Sequence, residues 1–191
     1  AGAIASKILE QLGISIITYS KSIGNVQIDY NNFNKDEIEN NPMYMPDSNA
    51  AMKAGELLKE KMAEMDSVGG VIECLINGMP AGVGEPVFEK LDANLSKAIM
   101  SIGAIKGFEI GDGFAVAEST GSTDNDGFRM KDGKIIKTTN HAGGIMGGMS
   151  DSSQIILRAA VKPTPSIAQT QTTVNLSLIH ISEPTRRRGI S

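Results

Sequence analysis

Apolar residues recur at helical spacing from the start of the chain: Ile4, Ile8, Leu9 and Leu12 predict a helix over 3–12. Gly13 follows where a left-handed C-terminal cap is favoured. Residues 14–23 alternate loosely and are rich in β-branched side chains, which predicts a strand. Residues 25–47 are polar and asparagine-rich, with acids at Asp36, Glu37 and Glu39, and are expected to be a solvated excursion. Pro46-Asp47-Ser48 is a good helix start. The helix it opens is expected to run to about Met65 and to bury the stripe Ala50, Ala51, Ala54, Leu57, Leu58, Met62 and Met65.

Gly69-Gly70 leads a predicted strand over 71–76, closed by Asn77-Gly78. Pro86 suits the first turn of a helix reaching about Met100, which would set Glu85 beside a helix N-terminus; a capped junction explains Glu85 without catalysis. Two short strands are expected around Gly111-Asp112-Gly113, then a polar loop over 120–130. Strands at 134–138 and 154–161 flank a glycine-rich loop. There is no internal repeat and no regular strand–helix alternation. The pattern is α+β, helices on largely antiparallel sheets.

The glycine-rich loop reads Thr139-Asn140-His141-Ala142-Gly143-Gly144-Ile145-Met146-Gly147-Gly148-Met149-Ser150. Paired glycines let the backbone turn where a Cβ would clash and let N–H groups approach a ligand. Downstream, Lys162-Pro163-Thr164-Pro165-Ser166 offers one ammonium and two hydroxyls on a chain stiffened by two prolines. The two segments together suit an anionic cofactor, a phosphate above all.

Composition narrows the field. With 191 residues, 40% of them hydrophobic, the chain can build a core, and it holds no apolar run of membrane-spanning length. A net charge of -4 argues against a nucleic-acid partner. Cys74, the single cysteine, excludes an internal disulfide and fits a cytoplasmic setting; beside Ile72 and Ile76 it is expected to be a buried, inert thiol. Asp124 and Asp126 have no Glu or His at metal-ligand spacing, so no metal is expected.

Both ends look truncated. The chain opens inside a helical pattern without methionine, and residues 176–191 break the chemistry of what precedes them. LSLIHISEPTRRRGIS resembles a translated sequencing-library transposase adapter, matching it codon by codon over 176–186. We therefore expect a partial domain over 1–175 and a non-native tail over 176–191. His180 and the arginines at 186–188 then carry no functional weight.

The run MPAGVGEPVFEKLDANLSKAIMSIGAIKGFEIGDGF, then DNDGF, then TTNHAGGIMGGMSDSSQIILRAAVKPTPSI resembles the chorismate synthase family. The resemblance implies an incomplete β-α-β sandwich, a homotetramer when intact, and conversion of 5-enolpyruvylshikimate-3-phosphate to chorismate by anti-1,4-elimination of phosphate. It implies reduced FMN as cofactor, reduced in place with NADPH or by a separate reductase. Matched position by position, flavin contacts fall on Gly103, Ala104, Gly147, Lys162, Pro163, Thr164, Pro165 and Ser166. Gly103 stands where asparagine or proline is common, and Pro165 replaces a frequent serine.

The family's catalytic histidines lie in blocks this chain lacks, which leaves His141 a structural or supporting role. Its substrate arginines are also expected elsewhere, since Arg129 and Arg158 are the only arginines before 176. The chain alone is expected to be inactive. The competing reading is a non-catalytic flavin- or phosphate-binding module.

Overall fold

The computed structural model describes residues 2–171 together with the backbone of 173–174 and 180–181. Two compact units divide the chain: residues 1–20 with 71–161, and residues 21–70 with 162–191. The expected tail over 176–191 lies outside the described residues except for His180 and Ile181.

In the first unit, helix α1 (Gly2–Gln11) ends where expected. Gly13 is left-handed at φ +78, and the Ile14 N–H reaches back to the Leu9 carbonyl. Four strands then lie side by side: β1 (Ser15–Ile23, which ends in the second unit), β3 (Gly70–Asn77), β9 (Ile155–Val161) and β4 (Ile105–Ile110). β4 and β9 are antiparallel, with Ile105 opposite Val161 and Ile110 opposite Leu157. Helix α4 (Leu91–Met100) packs on β4. Ile14, Ile76, Ile145, Ile155 and Leu157 form the core, with Leu91, Leu95, Phe108 and Ile110 closing over it. Small hairpins complete the unit: β5 (Phe128–Lys131) with β6 (Lys134–Lys137), and β7 (Ile145–Met146) with β8 (Met149–Ser150). Helix α5 (Gly121–Asp124) is one turn within the expected polar loop.

The second unit pairs the end of β1 with β2 (Val26–Gln27), Ser22 opposite Gln27. After α2 (Glu37–Asn40) comes α3 (Ser48–Ala63), packed on β2. Asp47 caps α3 by accepting from the Asn49 and Ala50 N–H groups, and its other oxygen takes the Asp29 N–H. Burial works to raise the Asp47 pKa, but these hydrogen bonds outweigh it and hold the carboxyl below its ordinary value. The strand pair β10 (Thr173–Val174) and β11 (His180–Ile181) is antiparallel.

Four expectations are corrected. Residues 25–47 are not simply solvated: Ile28, Ile38 and Met45 are buried, and Asn41 ties its own loop by bonding the Glu37 and Met45 carbonyls. The stripe on α3 is core only at Ala50, Ala51 and Ala54; Met62 is 74% exposed. The helix ends just beyond, where Met65 turns left-handed at φ +58 and the Asp66 N–H caps the Lys61 carbonyl. Residues 113–118 form a 3-10 helix, not a second strand, because left-handed Gly111 and Gly113 reverse the chain at the end of β4. Finally, α4 starts at Leu91, so Glu85 is not at its N-terminus; Glu85 instead bridges to Glu89.

Candidate functional site

The glycine loop is built from its ends inward. Gly143 and Gly144 are left-handed, at φ +62 and +78, and their backbones press against neighbours. A Cβ on Gly143 would lie 2.3 Å from the Gly111 nitrogen, and one on Gly144 would lie 2.7 Å from the Gln154 carbonyl oxygen. This first pair is therefore packed for close backbone contact. Gly147 and Gly148 form the two-residue turn between β7 and β8, both left-handed, as a tight hairpin requires. At Gly148 a Cβ would strike Lys90 at 2.5 Å, whereas at Gly147 it would meet nothing. Gly147 is exposed and Gly148 buried.

The expectation that both glycine pairs offer N–H groups to a ligand needs correction. The Gly143 N–H donates to the Asn140 carbonyl and the Gly144 N–H to Asn140 Oδ1. The His141 and Ala142 N–H groups donate to Asp126 Oδ1 and Oδ2 at 2.8 and 3.1 Å. The amides of 141–144 are thus engaged internally, which leaves the Gly147 end as the approachable part.

Asp126 is the feature the sequence reading missed. Its side chain is 2% exposed and meets Lys137 Nζ at 2.7 Å; Lys137, 5% exposed, also meets Asp151 Oδ2 at 2.8 Å. Thr139 Oγ1 donates to Asp126 as well, at 2.7 Å. Burial pushes the Asp126 pKa up, but Lys137, Thr139 and the two amides outweigh it and hold the carboxyl far below the ordinary range. Asp151 is lowered in the same way, chiefly by Lys137, against the effect of burial. Lys137 is raised, its two carboxylates outweighing the desolvation that lowers it. The clue in the sequence was a lysine at the end of one hairpin strand with acids on both sides, at spacings that show nothing without the fold.

His141 Nδ1 lies 2.6 Å from Asp112 Oδ2, which raises the His141 pKa and ties the loop to the turn after β4. That turn is held in place: the Gly111 N–H donates to the Ile156 carbonyl, and the Asp112 N–H to the His141 carbonyl. Arg158 Nη1 reaches the Gly111 carbonyl at 2.6 Å while its Nε pairs with buried Glu73 at 2.5 Å, and Tyr19 OH donates to the same Glu73 carboxylate. Arg158 is thereby engaged within the unit. Cys74 is half-buried; desolvation pushes its thiol pKa up, which Thr18 only partly offsets, so an unreactive thiol fits.

A second loop leans on the hairpin. Ser150 Oγ accepts the Val83 N–H and donates to the Pro80 carbonyl, and the Leu91 N–H at the start of α4 donates to the Gly148 carbonyl.

The profile of the family described as chorismate synthase matches residues 1–187. The chain belongs to the chorismate synthase family. It is 62% identical over 177 residues to the chorismate synthase of Agathobacter rectalis, covering 93% of this chain and 48% of that protein. It is also 49% identical over 177 residues to that of Methanococcoides burtonii, covering 92% and 48%. A solved structure titled "Crystal Structure of Chorismate Synthase" superposes with a TM-score of 0.80 at 30% identity, covering 86% of this chain and 54% of that one. The chain thus spans about half the length of the chorismate synthases it matches. The α+β reading agrees with this likeness.

The family-matched positions fall in separate places. Gly147 sits by the start of α4, whereas Gly103 and Ala104 follow its end, with ten helical residues, about 15 Å, between them. Ala104 is exposed and left-handed at φ +71, an uncommon state for a residue with a Cβ. It leads into β4, whose first residue pairs with Val161 at the end of β9. Lys162, Pro163, Thr164, Pro165 and Ser166 belong to the second unit and are all exposed. There the segment is held against the end of α3: Ser67 Oγ donates to the Thr164 carbonyl, and the Ala168 N–H to the Met65 carbonyl. Among the described residues no cluster of three potential metal ligands occurs, and no helix is long and apolar enough to cross a membrane.

Proposed function

We propose that this chain forms part of a chorismate synthase, a lyase that converts 5-enolpyruvylshikimate-3-phosphate to chorismate and phosphate by anti-1,4-elimination. The observation that carries this reading is the 62% identity to the Agathobacter rectalis chorismate synthase over 93% of the chain. The intact protein is read as a cytoplasmic homotetramer using reduced FMN.

The residues present suit the flavin's phosphate end. Lys162 supplies an exposed ammonium, Thr164 and Ser166 supply hydroxyls, and the prolines between them limit the entropy lost on binding. The open space at Gly147 and the left-handed, exposed turn at Ala104 suit close main-chain approach to the cofactor. Reduced FMN, when bound, supplies the electron density on which the departing phosphate draws. This chain's part is to bind and orient the cofactor.

The substrate side is poorly provided here. Its phosphate and two carboxylates call for forked guanidinium groups, yet Arg158 is engaged by Glu73 and the Gly111 carbonyl, and Arg129 lies exposed on β5. The arginines that grip substrate are accordingly assigned to the remainder of the family protein, and the chain alone should release no phosphate.

The test is a hybrid. Residues 1–175 replace the matching segment of the Agathobacter rectalis enzyme, and chorismate formation is followed anaerobically with reduced FMN. The hybrid should turn over within about tenfold of the parent, a deficit of about 1.4 kcal/mol in the barrier. A folded hybrid that binds substrate but releases no phosphate would overturn the assignment.

A further inference from the structure

We propose that Asp126 and Lys137 are positioning residues for the cofactor site, setting the conformation of residues 139–144 and so the aim of the Gly147–Gly148 turn. This rests on the flavin reading above. One buried cluster holds both ends of the glycine loop. Asp126 accepts from the His141 and Ala142 N–H groups and from Thr139 Oγ1. Lys137 Nζ contacts Asp126 and, beyond the hairpin turn, Asp151, at 2.7 and 2.8 Å. The same ammonium donates to Asn140 Oδ1 at 3.3 Å, and that oxygen also accepts the Gly144 N–H at 2.9 Å.

Four consecutive amides, 141 to 144, are in this way turned inward by Asp126 and Asn140. The glycines make the loop's path sterically possible; they do not choose it, since glycine is as free in other conformations. The choice comes from side chains outside the glycines. Two carboxylates on one ammonium also leave an excess negative charge behind the loop. An anion is therefore not drawn to the amides of 141–144 and is directed to the exposed Gly147 end. None of these side chains needs to touch the cofactor for this to matter.

The experiment compares the full 191-residue chain with Asp126→Asn, Lys137→Met, the Asp126→Asn/Lys137→Met pair and Lys137→Arg. The readouts are amide hydrogen exchange, thermal unfolding and FMN titration. The double variant limits the disturbance, because it removes the two most buried charges together and leaves only Asp151, whose side chain is 13% exposed and still accepts the Ser153 N–H. Exchange at His141, Ala142 and Gly144 should accelerate at least about tenfold in the double variant while the β3 and β9 amides stay protected. FMN affinity should fall about tenfold, since an unorganised loop must be ordered on binding. Lys137→Arg should restore most of the affinity.

Unchanged exchange in the loop overturns the proposal. So does accelerated exchange with undiminished FMN affinity, which would make the cluster purely structural. If the unsubstituted chain binds no FMN, the flavin reading itself fails. The cluster's hold on the loop is then judged by exchange alone, with acceleration confined to the loop supporting it and uniform protection overturning it.

Discussion

Acid should reach the glycine loop through Asp126 and Asp151. Both carboxyls titrate below their ordinary value of about 3.9 in the folded chain. Their contribution to stability is therefore fully present above about pH 4 and is lost as pH falls below that towards their depressed folded values. His141 has the opposite sign. Asp112 raises its pKa above about 6.5, so its contribution is complete below that pH and fades as pH rises through the raised value. Thermal unfolding between pH 3 and 6 should accordingly be steeper in pH for the unsubstituted chain than for Asp126→Asn/Lys137→Met. Equal slopes would show that the cluster does not carry the acid response.

At the scale of single elements, the glycine series separates turn chemistry from packing. Gly147→Ala meets open space and only the left-handed φ opposes it, so a loss of about 1 kcal/mol is expected. Gly111→Ala would bring a Cβ to 2.0 Å from the His141 carbonyl oxygen and 2.6 Å from the Gly143 nitrogen. The expected loss is about 3–4 kcal/mol, or failure to fold. Chemical denaturation of both variants checks the order, and equal losses would contradict it.

This contrast also marks what the sequence could reveal. Gly13 as a C-cap, Pro46-Asp47-Ser48 as a helix start and β9 as a strand were legible because local pattern and final structure agree there. The start of α4 was misread, because Pro86 also fits a loop that the Glu85–Glu89 bridge closes before the helix begins. The outward-facing Met62 was misread as core, since periodicity marks a face but not what covers it. Within the site, Gly147 and the Lys162 segment were visible in the sequence as candidates, and both are exposed. The Asp126–Lys137–Asp151 cluster was not, because partners 11 and 14 residues apart meet only after two hairpins have formed.

For the whole molecule, family membership extends over nearly the entire chain, while the chain covers 48% of the Agathobacter rectalis relative. Ile4 and Ile8 on α1 and Leu12 just after it are exposed, as are Phe128, Met130 and Ile135 on the β5–β6 hairpin. Apolar faces of this kind suit burial against further protein. We propose a narrower role than a full enzyme's: this chain supplies flavin-binding surface, and the arginines that grip the substrate come from the remainder of the family protein. The direct test is an anaerobic FMN titration of the 191-residue chain, followed by flavin fluorescence, beside Lys162→Ala. Saturable binding that weakens at least about tenfold in Lys162→Ala, with unfolding unchanged, is the predicted result. Absence of saturable binding by the unsubstituted chain, or equal binding by both, would contradict it.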